Sequence, residues 1–380
     1  MLPRIDSPIT PAVLYPADID ALLLHEFHER QHASFLEVGG KELVAHYGEP
    51  LAEYALLRQS AGILDLSFRG RLCLVGADRV KFLNGQVTNN VKDLKPGQGC
   101  YAALISAKGK IQSDLYIFPL ENEILLDFEP GLETTVKVRL EKFIIADVVQ
   151  MVEAAPHYGL LSIQGPKSAV VVESLQLGLN VPSQPLHVAS TNHPALGELY
   201  LANQPRAGGT GFDLFVPNAA LATAAEQLLA AAKSLGGGRV GWEALETARI
   251  EAGLPRFGAD MDETNLPPEA GLDERAVSYT KGCYIGQEVI ARIRTYGQVA
   301  KALRGLRLSD GLKTLPAKGD KLFRDGKEVG YITSATASPA LKANIALAYV
   351  RREANQIGTE LELQSAAGPA KALVVPLPFA

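Results

Sequence analysis

The chain reads as an α+β protein that ends in a small antiparallel β-barrel, and three observations predict this. Its 380 residues exceed what one simple core holds, so two or three domains are expected. Two successive blocks, 41–150 and 151–297, each mix short strands with helices. From 298 to 380 short strands alternate with turns, and no long helix intervenes. Residues 1–40 form a less distinctive N-terminal extension.

The extension carries Pro3, Pro8, Pro11 and Pro16, then a polar helical stretch with His25, His28 and His32. His28 and His32 are four apart and can share a helix face, but no metal pattern follows. The histidines are read as surface residues. In the first block 51–60 reads as a helix, and Gly62 opens Ile63-Leu64-Asp65-Leu66-Ser67, whose alternation is that of a strand. A strand follows over 71–75, and Asp78 is placed to cap the next short helix. Strands over 100–106 and 111–119 join through Ala107-Lys108-Gly109-Lys110, a hairpin by its turn residues. A third strand covers 124–128 and a helix covers 131–143.

In the second block 159–164, 198–202 and 211–216 read as strands, and Pro166 opens a helix to 174. Asn218 is placed to cap an alanine-rich helix ending at Gly236-Gly237-Gly238. A further helix covers 242–251, with Trp242, Leu245 and Ile250 assigned to the core. The two blocks resemble each other in order, as an internal duplication would. The barrel strands are 299–308, 320–323, 328–334, 345–350, 360–363 and 370–375.

Hydrophobic residues at 47% and charged residues at 21% are ordinary for a soluble globular protein. A net charge of −5 gives no overall basic field, so no direct nucleic-acid contact is expected. The one basic stretch, Arg292, Arg294, Lys301, Arg304 and Arg307, reads as a solvated strand face. Only three cysteines occur, Cys73, Cys100 and Cys283, without a C-x-x-C or zinc spacing, which suits a reducing cytoplasm. No signal peptide, membrane span or metal site is expected. The glycines form no dinucleotide or P-loop motif.

Lys281-Gly282-Cys283-Tyr284-Ile285-Gly286-Gln287-Glu288 is the most informative stretch. Lys281, Arg292 and Arg294 would favour the Cys283 thiolate, the nucleophilic form. The bland alternative is a small buried residue at a tight turn. Lys108-Gly109-Lys110-Ile111-Gln112-Ser113-Asp114 sets a carboxylate beside the hairpin. On a strand, Asp114, Tyr116 and Phe118 share one face, with Tyr101 on the neighbouring strand. Asp114 there can accept a bond from a heterocycle N–H or move a proton, or else face solvent on an edge strand. Arg249 can grip a carboxylate with its planar fork, or pair with a nearby acid.

These segments resemble a known family. Tyr54, Gly62, Ile63, Asp65, Ser67, Gly70, Gly76, Asp78, Phe82 and Leu83 look like the N-terminal folate-binding domain of the glycine-cleavage T-protein. Gly85-Gln86-Val87-Thr88-Asn89, Lys108-Gly109-Lys110 and the stretch around Cys283 are closer to the YgfZ branch of that superfamily. The resemblance runs from about residue 40 to the end. It implies folate-binding domains (41–297) around a central cleft, plus the barrel, with tetrahydrofolate as ligand. It also implies an accessory role in iron–sulfur cluster assembly or repair and tRNA methylthiolation, with iron–sulfur enzymes as clients and Cys283 as the acting thiol. Asp114 and Tyr101 would meet the pterin and Arg249 a carboxylate. Glu251, Tyr284 and Gln287 complete the expected folate-contacting set.

The alternative is a folate-dependent aminomethyltransferase in which Asp114 activates the folate nitrogen and Cys283 is incidental. A third reading is a folate-sensing scaffold without chemistry. T-proteins carry paired carboxylates where this chain has Ser113-Asp114. Their acidic glycine-rich loop corresponds to Arg206-Ala207-Gly208-Gly209-Thr210-Gly211-Phe212-Asp213, which lacks the central glutamate. Both departures weigh against aminomethyl transfer.

Overall fold

A computed structural model describes residues 19–310, 312, 314–366 and 368–379. The four prolines and the start of the extension lie outside the described residues. A five-stranded antiparallel sheet has the order Cys100–Ile105, Ile111–Pro119, Glu123–Phe128, Gly70–Val75, Gln150–Glu153. A six-stranded sheet has the order Val188–His193, Gly197–Asn203, Gly211–Pro217, Tyr158–Gln164, Gly62–Asp65, Gly238–Arg239. Gly62–Asp65, early in the chain, therefore pairs with Tyr158–Gln164 in the second sheet. Each sheet backs onto helices. Leu115, Ile117, Leu126 and Phe128 pack with Phe82, Leu83 and Leu140. Leu161, Ile163 and Leu214 pack with Val171, Ala224 and Leu228. The other faces meet through Phe118, Leu125, Leu160 and Phe215.

The last domain is a closed six-stranded barrel of Lys301–Leu308, Ala343–Arg351, Lys327–Ser338, Lys321–Arg324, Glu360–Ser365 and Gly368–Val375, in that spatial order. Closure removes the sheet edges. The barrel docks through Leu303, Ile345, Leu347 and Tyr349 onto Ile250 of the helix Trp242–Glu251. Among the described residues no helix is long and apolar enough to cross a membrane, and no group of three or more His, Cys, Asp or Glu could hold a metal ion.

Three local expectations are corrected. His28 is buried, not exposed: its Nε2 pairs with Asp65 Oδ2 at 3.0 Å and its Nδ1 with the Tyr47 hydroxyl at 2.7 Å. The N-terminal helix thereby locks onto the first strand of the six-stranded sheet. Asp78 stands at the N-cap position as expected but makes no side-chain cap bond; its carboxylate accepts the Val148 N–H at 2.8 Å and ties the helix start to a loop. Asn218 opens a 3₁₀ turn before the helix Leu221–Ser234 and donates to the carbonyls of Ala155 and Pro156. Of the basic stretch, Arg292 pairs with Glu288, Arg294 stacks on Tyr279, Arg304 donates to the Asn355 carbonyl, and Lys301 lies over Tyr331 and Tyr349.

Candidate active site

Strand alternation turns Asp114 and Tyr116 toward the second sheet and Ser113 away from it. Ser113 spends its hydroxyl on the Asp114 carbonyl at 3.1 Å. Asp114 and Tyr116 line a cleft together with Arg69, Glu129, Arg206 and Trp242. The helix Trp242–Glu251 also turns Leu245, Glu246 and Arg249 into it, and the following loop adds Arg256.

Asp114 is buried. Its Oδ2 accepts the Tyr101 hydroxyl at 2.8 Å, and its Oδ1 has no hydrogen-bond partner among the described residues. Burial, and then the charge of Glu129, lift its carboxyl to about 6, against the pull of the Tyr101 bond. Tyr101 is held beneath the segment that follows the helix, packing with Phe257, Met261, Leu272 and Ala276. Its ring lies 4.8 Å from that of Tyr116.

Around this carboxylate runs a lattice of ion pairs. Arg69 donates to Asp127 at 2.8 Å and to Glu129 at 2.5 Å. Arg206 bridges Asp127 at 2.7 Å and Asp213 at 2.5 Å, and lies over the Tyr116 ring at 5.4 Å. Burial works to raise Asp127, but Arg69 and Arg206 together hold it below the usual carboxylate range. Arg249 donates to Glu246 at 2.8 Å, Asp260 at 2.5 Å, Ser334 at 2.9 Å and the Leu254 carbonyl at 3.1 Å. Its fork is spent inside the protein, joining helix, loop and barrel. Arg256 donates through Nε and Nη2 to Glu246 at 3.1 and 3.2 Å and through Nη1 to Glu129 at 3.5 Å, and lies 4.9 Å over Trp242.

The other expected site residues lie elsewhere. Glu251 points away from the cleft; it binds Tyr54 at 2.6 Å, Arg58, and Ser338 at 2.5 Å. Tyr284 packs with Ala103, Ile105, Val277 and Ile290. Gln287 starts the helix Gln287–Tyr296, its N–H bonded to the Tyr284 carbonyl. Cys283 is exposed, free and outside the cleft lining. Lys281 does not serve it. The Lys281 ammonium donates to the carbonyls of Asn84, Val87 and Asn89 at 2.6, 2.8 and 2.6 Å, pinning the segment to the end of the helix Arg79–Gln86. Burial pushes that ammonium down to about 8. Gly286 has φ +82°, and a Cβ there would sit 2.5 Å from the Ser106 carbonyl oxygen. Gly286 thus serves close packing against the hairpin, whereas a Cβ at Gly282 would meet nothing within 4 Å.

Arg69, Asp127, Glu129, Glu246 and Arg256 were not anticipated as site residues, and Trp242 was assigned to core alone. Helical spacing carried part of the missing signal. At 100° per residue, Trp242, Leu245, Glu246 and Arg249 form one stripe, while Glu251 falls opposite.

Residues 24–281 match the model of the GCVT N-terminal domain, and residues 301–380 match the glycine cleavage T-protein C-terminal barrel domain. The chain belongs to the glycine cleavage T-protein family. Similar relatives include an aminomethyltransferase of Geobacillus kaustophilus, 29% identical over 94% of this chain and 97% of its own. Another, from Caldanaerobacter subterraneus subsp. tengcongensis, is 27% identical over 93% of each chain. The crystal structure of glycine cleavage system aminomethyltransferase T from Bartonella henselae superposes with a TM-score of 0.85 at 25% identity, covering 95% of this chain and 98% of that one.

These relatives overturn the expectation of an iron–sulfur accessory protein acting on client enzymes through Cys283. They carry the name of the alternative, the aminomethyltransferase. The physical reason for the misreading is Lys281, whose charge goes to three carbonyls and not to the thiol.

Proposed function

We propose that this T-protein homologue is an aminomethyltransferase that uses tetrahydrofolate as the accepting substrate. One observation carries the reading. Asp114 is a buried carboxylate with one oxygen fixed by Tyr101, the other unpartnered, and a carboxyl lifted to about 6. Such a group is ionised at neutral pH yet still able to take a proton from a folate nitrogen as that nitrogen attacks the aminomethyl carbon and the bond from that carbon to its donor breaks, the electron pair leaving with the donor.

The cleft suits a reduced pterin. Tyr116 and Trp242 offer apolar ring surface, and Asp114 Oδ1 is an acceptor for a heterocycle N–H. We assign the ligand's carboxylate to Arg256 and not to Arg249, because the Arg256 side chain is the more exposed of the two, 18% against 6%, and its bond to Glu129 is long, at 3.5 Å. The absent first acid and absent loop glutamate leave Asp114 as the proton acceptor, with Arg69 and Arg206 fixing the surrounding charges. The unpaired cysteines suit a cytoplasmic setting. The test is one-carbon transfer from an aminomethyl donor to tetrahydrofolate by wild type and Asp114→Asn. Turnover by wild type, lowered roughly 10²–10⁴-fold in the variant, supports the proposal. Equal rates refute the role of Asp114, and no turnover by either protein refutes the activity.

A further inference from the structure

Between the two sheets lies a second cavity of about 180 Å³ that shares no lining residue with the Asp114 cleft. Its walls are largely apolar. Leu125 comes from the five-stranded sheet, and Tyr200 and Phe215 come from the six-stranded sheet. Glu123, Glu153 and His157 line it nearer solvent, and Arg71 is the charged lining residue that is buried. Arg71 is 1% exposed, and a single nitrogen, Nη2, is bonded, to the Ser67 carbonyl at 2.8 Å. Its Nε and Nη1 have no partner among the described residues.

The neighbouring charges do not supply one. Asp127 is occupied by Arg69 and Arg206, and Asp65 by His28 and the Ser67 N–H. Burial draws the Arg71 guanidinium down to about 10; the charges of Asp127 and Asp65 pull it up in part, and Arg69 and Arg206 add like charge. A buried, unpaired cation is costly unless something anionic meets it.

We infer that this inter-sheet cavity is a second ligand site, for a small monocarboxylate with an apolar body whose carboxylate is set against Arg71. The remaining wall residues narrow the class. Glu123 and Glu153 line the same cavity and disfavour a dianion such as a phosphate monoester. The unpartnered guanidinium excludes a cation. Tyr200, Phe215 and Leu125 offer surface to an aryl or branched alkyl group. A ligand seated there touches both sheets, so its binding stabilises the folded chain.

Benzoate is the probe, applied to the full chain with saturation-transfer NMR for binding and thermal unfolding for stabilisation. Saturable binding that survives excess tetrahydrofolate is expected, with a rise in Tm. Arg71→Met should bind benzoate about 10- to 100-fold more weakly, the loss of one charged hydrogen bond. Without ligand, Arg71→Met should be as stable as wild type or more so, because an unpaired buried charge is removed. A merely structural arginine would give the opposite. Val152→Trp, at a wall position 38% exposed, should block entry while leaving Arg71 in place, and it decides the matter if Arg71→Met fails to fold. The inference is overturned by absent binding, by wild-type affinity in either variant, by displacement with tetrahydrofolate, or by equal affinity for inorganic phosphate or benzamidine.

Discussion

Replacing Asp114 by asparagine should make the protein more stable while it loses activity. The carboxyl titrates at about 6 in the folded chain against an ordinary value of 3.8. That gap corresponds to about 3 kcal/mol of penalty for holding the ionised form in the fold. The sign follows from proton binding. Below about pH 4 both folded and unfolded chains hold the proton, and the variant gains nothing. Between about pH 4 and 6 the folded wild type still holds a proton that the unfolded chain has released, so wild-type stability falls as pH rises. Above about pH 6 the full penalty applies, and Asp114→Asn escapes it while keeping an acceptor for the Tyr101 hydroxyl. Urea unfolding of both proteins at pH 4, 5, 6 and 8 measures this. The midpoint difference should open between pH 4 and 6 and then stay constant. A variant less stable than wild type at pH 8, or a pH-independent difference, would refute the reasoning, because Asp114 would then be stabilised by its surroundings and not strained by them.

Tyr101→Phe removes the side-chain bond that favours the ionised Asp114, so the acid limb of the turnover profile should move from about 6 to roughly 7–8. Turnover then falls about 2- to 10-fold at pH 7 and recovers near pH 9; an equal loss at every pH would show that Tyr101 acts otherwise. Arg256→Ala should raise KM for tetrahydrofolate about tenfold and leave KM for tetrahydropteroate, which lacks the glutamyl carboxylates, unchanged. Equal effects on both substrates would remove Arg256 from carboxylate binding. Cys283→Ala should leave one-carbon transfer intact and change stability by less than about 0.5 kcal/mol, since the thiol is exposed. A large loss of transfer would return Cys283 to the chemistry.

Local pattern alone determined much of this protein. Alternation along Ile111–Pro119 put Asp114, Tyr116 and Phe118 on one face, and turn residues set the hairpin that follows Cys100–Ile105. Regular short strands separated by turns announced the barrel, because period and turn chemistry act within a few residues. Closure of that barrel and the insertion of Gly62–Asp65 into the second sheet depend on partners far away in the chain, which no local signal names.

The same limit governs charge. Arg249 and Glu251 are two residues apart and were both expected at the ligand. A helix sets them about 200° apart, so one faces the cleft and the other binds Tyr54, Arg58 and Ser338. Lys281 beside Cys283 looked like an activator, yet a long flexible side chain goes wherever unsatisfied carbonyls are nearest in space, here at a helix end nearly two hundred residues earlier. Burial and the charge of Glu129 lift Asp114, while the ion pairs around it, which hold Asp127 low, join residues from both sheets, a helix and a loop. Residue type supplied the charges, and only the tertiary fold decided which were buried together, because Coulomb energies depend on separation and burial and not on order along the chain.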